Sequence, residues 1–219
     1  MDEKNFTLFI IDDDASVRKS LRRLLQAHQY QVETFASAED YLSRENYSGI
    51  GAIILDLSMP GLDGIDLQAR LMDSGSPLPI IFLTGHGDIH SSVVAMKQGA
   101  ENFLTKPVDE KELLAAVHEA LVNYAERHQK QLDAETIRQN IATLTPREME
   151  ILRYVISGAM NKQIAHQLNI AEKTVKVHRG RVLEKMQAKS VIALLRMCDI
   201  ARVQALTISP SEVSLSVKN

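Results

Sequence analysis

Residues 6–14, FTLFIIDDD, place an apolar run directly before three consecutive carboxylates. A run without polar alternation is what a strand covered on both faces requires. Asp12, Asp13 and Asp14 end it, and Val17, Leu21, Leu24 and Leu25 then recur at helical spacing. Working outward, the same unit repeats. Strands are predicted at 31–35 (QVETF), 52–55 (AIIL), 79–83 (PIIFL) and 101–104 (ENFL). Helices are predicted over 37–44, 64–73, 88–98 and from Asp109 onward, the last with Leu113, Leu114, Val117 and Leu121 as its apolar stripe. Five strands alternating with five helices imply an α/β unit, a doubly wound parallel sheet with helices on both faces. In such sheets functional groups gather at the carboxyl ends of the strands. Those ends carry Asp12 and Asp13, Asp56, Thr84 and Lys106.

Each of these residues has an ordinary reading by itself. Asp12–Asp14 can cap a helix, Thr84 can serve a turn, and Lys106 can be a solvated strand-end lysine. Four strand ends delivering such groups in chain order point instead to one site. Asp12, Asp13 and Asp56 repel one another there unless a cation joins them. A hard, oxygen-seeking ion such as Mg²⁺ (or Mn²⁺) suits three carboxylates. Lys106 adds a positive charge and Thr84 a hydroxyl. This set suits phosphoryl transfer to a carboxylate, with Asp56 as nucleophile and the cations neutralising the phosphoryl oxygens.

The segments IIDDDASVRKS, ILDLSMPGLDG, FLTGHGD and ENFLTKP resemble those of response-regulator receiver domains over residues 6–120. The resemblance implies a flavodoxin-like receiver with Asp56 as phosphoacceptor and Asp12 and Asp13 as its acidic pair. It implies that Asp13, Asp56 and the main-chain carbonyl of Ser58 bind the metal. It further implies that Lys106 contacts the phosphoryl group, that Thr84 and Phe103 form a switch pair, and that the Lys106–Pro107 bond is cis. Asp14 is expected to cap the following helix. In this family the positions of Ser58 and His86 tune phosphoryl lifetime, and His86 reads equally well as a loop histidine.

The chain changes character after residue 124. Residues 1–124 hold 10 Lys and Arg against 19 Asp and Glu, whereas residues 143–205 hold 11 against 5. An acidic front and a basic back suggest two domains with different partners, the basic one a candidate for nucleic acid. Residues 122–142 are rich in Gln, Glu, Arg and Ala, without Pro or Gly, and are read as a helical continuation. Thr145-Pro146-Arg147-Glu148 reads as a capping box, and helices are predicted at 146–157, 161–168, 172–186 and 189–203. The third of these carries Lys173, Lys176, His178, Arg179, Arg181 and Lys185, with Val175, Val182 and Met186 for packing. A cationic helix fits the major groove, where Lys and Arg read guanine or bind phosphate. Gly180 and the poor N-cap Ala171 weaken it.

LTPREMEILRYVISG, NKQIAHQLNI and EKTVKVHRGRVLEKM resemble the all-α helix-turn-helix output domain of NarL/FixJ (LuxR-type) regulators, in the order of the FixJ-like branch. The resemblance implies that Lys176 and Val177 face bases, while Thr174, His178, Arg179 and Arg181 touch the backbone; Lys173 and Lys185 are grouped with them. The expected layout is a receiver at 1–123, a helical linker at 124–142, an output domain at 143–205 and a disordered tail at 206–219. The implied partners are a sensor histidine kinase, double-stranded promoter DNA, RNA polymerase and, on phosphorylation, a second copy of the chain. No apolar run approaches the ~18 residues of a membrane span, the N-terminus is acidic, and the single cysteine, Cys198, fits a reducing cytoplasm. Cys198 itself reads as a buried structural thiol. The enzyme alternative, an aspartyl-phosphate hydrolase, needs a second acid in an Asp-x-Asp motif, and Asp56-Leu57-Ser58 lacks it. A receiver acting as an unphosphorylated dimerisation module, and activation by release of inhibition, are further alternatives.

Overall fold

A computed structural model describes residues 6–45, 47, 49–76, 78–85 and 89–206, without the side chains of 89–92. His86 and the tail beyond Leu206 lie outside the described residues. The first part of the chain alternates β1 (Thr7–Ile11), α1 (Ala15–Ala27), β2 (Gln31–Phe35), α2 (Ala38–Leu42), β3 (Gly51–Asp56), α3 (Gly64–Asp73), β4 (Ile80–Thr84), α4 (Ile89–Lys97), β5 (Asn102–Thr105) and α5 (Glu110–Ala142). The five strands are all parallel, in the order β2-β1-β3-β4-β5. That is the doubly wound arrangement of flavodoxin-like folds, in which the order reverses beside the first strand and opens a crevice at the carboxyl edge.

The period of two along each strand divides the core. Leu8, Ile10, Ile54, Ile81 and Leu83 face Leu21 and Leu25 of α1 and Leu113 and Val117 of α5. Phe9, Ile11, Ile53, Leu55 and Phe82 face Tyr41 of α2, Leu67 and Leu71 of α3 and Ala95 of α4. Covering both faces is why the FTLFII run shows no alternation. Edge strand β2 is less buried and does alternate. Asp14 is the N-cap of α1, its side chain accepting the Ser16 amide.

The chain divides into two compact units after His128, within α5. Tyr124 and Ala125 are buried in the first unit, and Ile137 is buried in the core of the second. Between them, residues 126–136 contain no buried residue. The second unit adds α6 (Pro146–Ile156), α7 (Asn161–Gln167), α8 (Glu172–Lys185) and α9 (Val191–Ile200). Its core joins Ile151, Leu152, Ile164, Val175, Val182, Leu194 and Cys198. The capping box forms as predicted: Thr145 accepts the Glu148 amide and Glu148 accepts the Thr145 amide. Burial pushes the Cys198 thiol up to about 11, in keeping with an inert packing role.

Candidate functional site

Asp12 and Asp56 emerge from neighbouring strands β1 and β3, both buried, and Lys106 follows β5. The Lys106 ammonium donates to Asp12 Oδ2 at 2.6 Å and lies 2.9 Å from Asp56 Oδ2. Asp13 is exposed, yet it and the other two carboxylates bring oxygens within 4.8 Å of one another. Local bonds fix the frame. The Asp14 amide donates to Asp12 Oδ1 at 2.9 Å, and Arg18 Nη1 donates to the Asp12 carbonyl at 2.6 Å. The Lys106 amide donates to the Thr84 carbonyl at 2.6 Å, and the Lys106–Pro107 bond is cis. Ser58 lies beside Asp13 on an open cavity of about 540 Å³, also lined by Met59, Pro60 and Asp63.

One ammonium pairs with two of three clustered carboxylates, so the cluster keeps formal net negative charge. Burial raises the Asp12 carboxyl above its usual range, even though the Lys106 hydrogen bond and the Asp14 amide oppose the shift. Burial of the Lys106 ammonium alone would lower its pKa. Hydrogen bonds and charge from Asp12 and Asp56 together outweigh that and raise it. A buried, oxygen-only, anionic cluster with one exposed member is the donor set that hard divalent ions take. Thr84 is buried at the end of β4, and Phe103 is partly buried on β5. Phe103 pairs in register with Phe82, its ring centroid 6.2 Å away, so Phe103 and Thr84 share one face of the sheet two positions apart.

Gly64 belongs to this frame and is not among the residues predicted from sequence. A Cβ there would stand 2.5 Å from the Asp56 carbonyl oxygen and 3.0 Å from the Phe82 ring. Only glycine lets α3 start so close behind the acidic strand end. The preceding Asp63, which caps α3, was the available signal.

In the second unit the structure sorts the cations of α8. Lys173, Thr174, Lys176, Val177 and Arg181 are exposed, and Lys176 lies 3.9 Å from Glu172, a pair too open to matter energetically. His178 is half-buried, with Nδ1 enclosed and unpartnered. Arg179 is half-buried and donates from Nη1 to Asn161 Oδ1 at 2.6 Å. Lys185 is half-buried, and its ammonium bonds Glu148 Oε2 at 2.7 Å and the Thr143 carbonyl at 3.0 Å, so its charge is already paired within the domain. Those bonds, led by Lys185, bring the buried Glu148 carboxyl down to about 2. Ala171 provides no side-chain cap for α8.

Residues 8–118 match the response regulator receiver domain family, and residues 142–198 match the luxR family of bacterial regulatory proteins. The chain belongs to the NarL/FixJ-type response regulators. The response regulator protein TodT of Pseudomonas putida is 39% identical over 199 residues, covering 91% of this chain and 88% of TodT. The transcriptional regulatory protein FixJ of Bradyrhizobium diazoefficiens is 38% identical over 190 residues, 87% of this chain and 93% of FixJ. The low-resolution structure of response regulator StyR superposes with a TM-score of 0.83 at 42% identity, covering 89% of this chain and 98% of that one. In this response regulator the first match contains the whole acidic pocket and the second contains all of α8. A receiver joined to a luxR-type domain implies a kinase as one partner and DNA as the other. Among the described residues, no helix is long and apolar enough to cross a membrane.

Proposed function

We propose that Asp56 is the phosphoacceptor, and that the phosphorylated chain binds promoter DNA as a dimer to regulate, and by family likeness to activate, transcription. The observation that carries this is a buried carboxylate, Asp56, 2.9 Å from Lys106 at an edge where two further carboxylates converge. An Asp56 oxygen attacks the phosphorus of a phosphohistidine on the partner sensor kinase. The O–P bond forms as the P–N bond breaks, and the electron pair leaves with the imidazole, which takes up a proton. Lys106 turns from Asp56 to the incoming phosphoryl oxygens. Asp13, Asp56 and the Ser58 carbonyl, with Asp12 beside them, would hold Mg²⁺ or Mn²⁺, which supplies further neutralisation of phosphoryl charge. The chain's own catalysis is limited to this transfer and to hydrolysis of its aspartyl phosphate.

Thr84 then moves its hydroxyl toward the phosphoryl group, and Phe103 turns into the space left on the same sheet face. The rearranged surface favours a two-fold dimer. Exposed Lys176 and Val177 meet bases, while Lys173, Thr174, His178, Arg179 and Arg181 serve the backbone; Lys185 is occupied by Glu148. RNA polymerase is the further partner and the cytoplasm the setting. The functional units are receiver 1–123, linker 124–142, output 143–205 and tail 206–219.

Intact-mass measurement with acetyl phosphate and Mg²⁺ should add one phosphoryl group to the wild type and none to Asp56→Asn. Light scattering with beryllofluoride and Mg²⁺ should move the wild type toward dimer mass, and Thr84→Ala less so. Stoichiometric labelling of Asp56→Asn sinks the acceptor assignment. A rise in DNA affinity with no mass change replaces dimerisation with release of an inhibited monomer.

A further inference from the structure

Arg179 is the cation of α8 whose head group is fixed by a neutral side chain. Its Nη1 donates to Asn161 Oδ1 at 2.6 Å, a short bond between the first residue of α7 and the middle of α8. We propose that Asn161 is a positioning residue for DNA binding: it holds the Arg179 guanidinium in the orientation that meets a backbone phosphate. This rests on the DNA-binding reading of α8 given above.

The chemistry of the pair supports a positioning role over a purely structural one. Guanidinium carries five N–H donors in a rigid planar fork. Asn161 occupies one, and no other side chain among the described residues takes a further bond from Arg179. An amide oxygen restrains the fork without cancelling its charge, so the remaining donors stay available to an anion. Contrast Lys185, whose partner is a carboxylate and whose charge is thereby answered inside the domain. A long cationic side chain fixed before contact loses less rotamer freedom when it binds, which is the benefit of preorganisation. The far end of α7 is held independently, by Arg147 Nη2 donating to the Leu168 carbonyl at 2.9 Å. The seating of α7 therefore does not depend on Asn161 alone, and an Asn161 variant is expected to fold.

The test is a double-mutant cycle on the full chain with beryllofluoride and Mg²⁺, using a fluorescent 30-base-pair duplex of random sequence as the probe. Arg179→Ala should weaken binding about tenfold, the effect of losing one charge-assisted phosphate bond. It should also lower the slope of log K against log salt by about one. Asn161→Ala should weaken binding several-fold, with the melting temperature of the second unit nearly unchanged. In the Arg179→Ala background, Asn161→Ala should have no further effect. An equal loss from Asn161→Ala in both backgrounds would mean that Asn161 touches DNA itself, and it overturns the proposal. Unchanged affinity of Asn161→Ala in the wild-type background overturns it too. Failure of the wild type to bind the duplex in low salt removes the DNA-binding reading, and this inference with it.

Discussion

Lys106 and Lys185 each hold a buried carboxylate, one lysine in each compact unit, but the acids around them differ in number. Lys185 meets Glu148 alone. That carboxylate also accepts the Thr145 amide, and its pKa falls to about 2 because its neighbours all favour the ionised form. Lys106 meets Asp12 and Asp56 together, with Asp13 alongside. Burial drives Asp12 the other way, above the usual carboxylate range. The first arrangement is complete and needs nothing more. The second retains formal negative charge and has one exposed acid, Asp13, on an open cavity. A lysine on a buried carboxylate is therefore not by itself a sign of chemistry; uncompensated charge beside an opening points to it.

Exchanging the roles of the two lysines gives the largest expected effects. Lys106→Ala should slow labelling by acetyl phosphate at least about a hundredfold, the scale of removing a cation from a transferring group. Lys185→Ala should leave labelling unchanged and destabilise the second unit by about 3 kcal/mol, because it strands a buried carboxylate. Separate thermal transitions, followed by calorimetry with and without Mg²⁺, make the two readouts independent. If Lys185→Ala impairs labelling while the second unit stays folded, the division between the two sites is wrong.

Acid pH sharpens the contrast. The folded Glu148 carboxyl titrates at about 2 against an ordinary 4.5, so its contribution is complete above about pH 5 and is lost as pH falls toward 2. Glu148→Gln keeps the capping box, since glutamine serves at that position, but removes the titration. The variant should be less stable than wild type at pH 7, and the gap should close by about pH 2. A gap that stays constant through this range means that Lys185 contributes by packing and not by charge.

Most of the fold was legible because burial on both faces leaves an unmistakable trace in strands such as FTLFII and AIILD. The pocket was legible for a related reason: a doubly wound sheet brings residues distant in sequence to one edge, so strand-end acids and Lys106 converge without knowledge of side-chain detail. What sequence could not supply were pairings decided by packing. Lys185 looks like every other cation of α8 until Glu148, thirty-seven residues earlier, is seen beneath it. Gly64 looks like a loop glycine until the Asp56 carbonyl is found 2.5 Å from where its Cβ would stand. Nor did composition single out Tyr124, Ala125 and Ile137, the buried residues of the expected linker, from its largely exposed remainder.

The smallest effect concerns α8 itself, which the two ties through Arg179 and Lys185 hold against poor intrinsic preference. Ala171 gives it no cap, and Gly180 stands in its interior. Glycine there costs the helix about 1 kcal/mol relative to alanine, through backbone freedom lost on folding. A Cβ at Gly180 would meet nothing within 4 Å, so alanine brings no steric penalty to offset the gain. Gly180→Ala should raise the stability of the second unit by roughly 0.5–1 kcal/mol in thermal or urea unfolding, with labelling of Asp56 unaffected. If stability fails to rise, α8 is not held against its own propensity and the two ties are not what seat it. If stability rises while affinity for duplex DNA falls, the space beside Gly180 is where the nucleic acid approaches the helix.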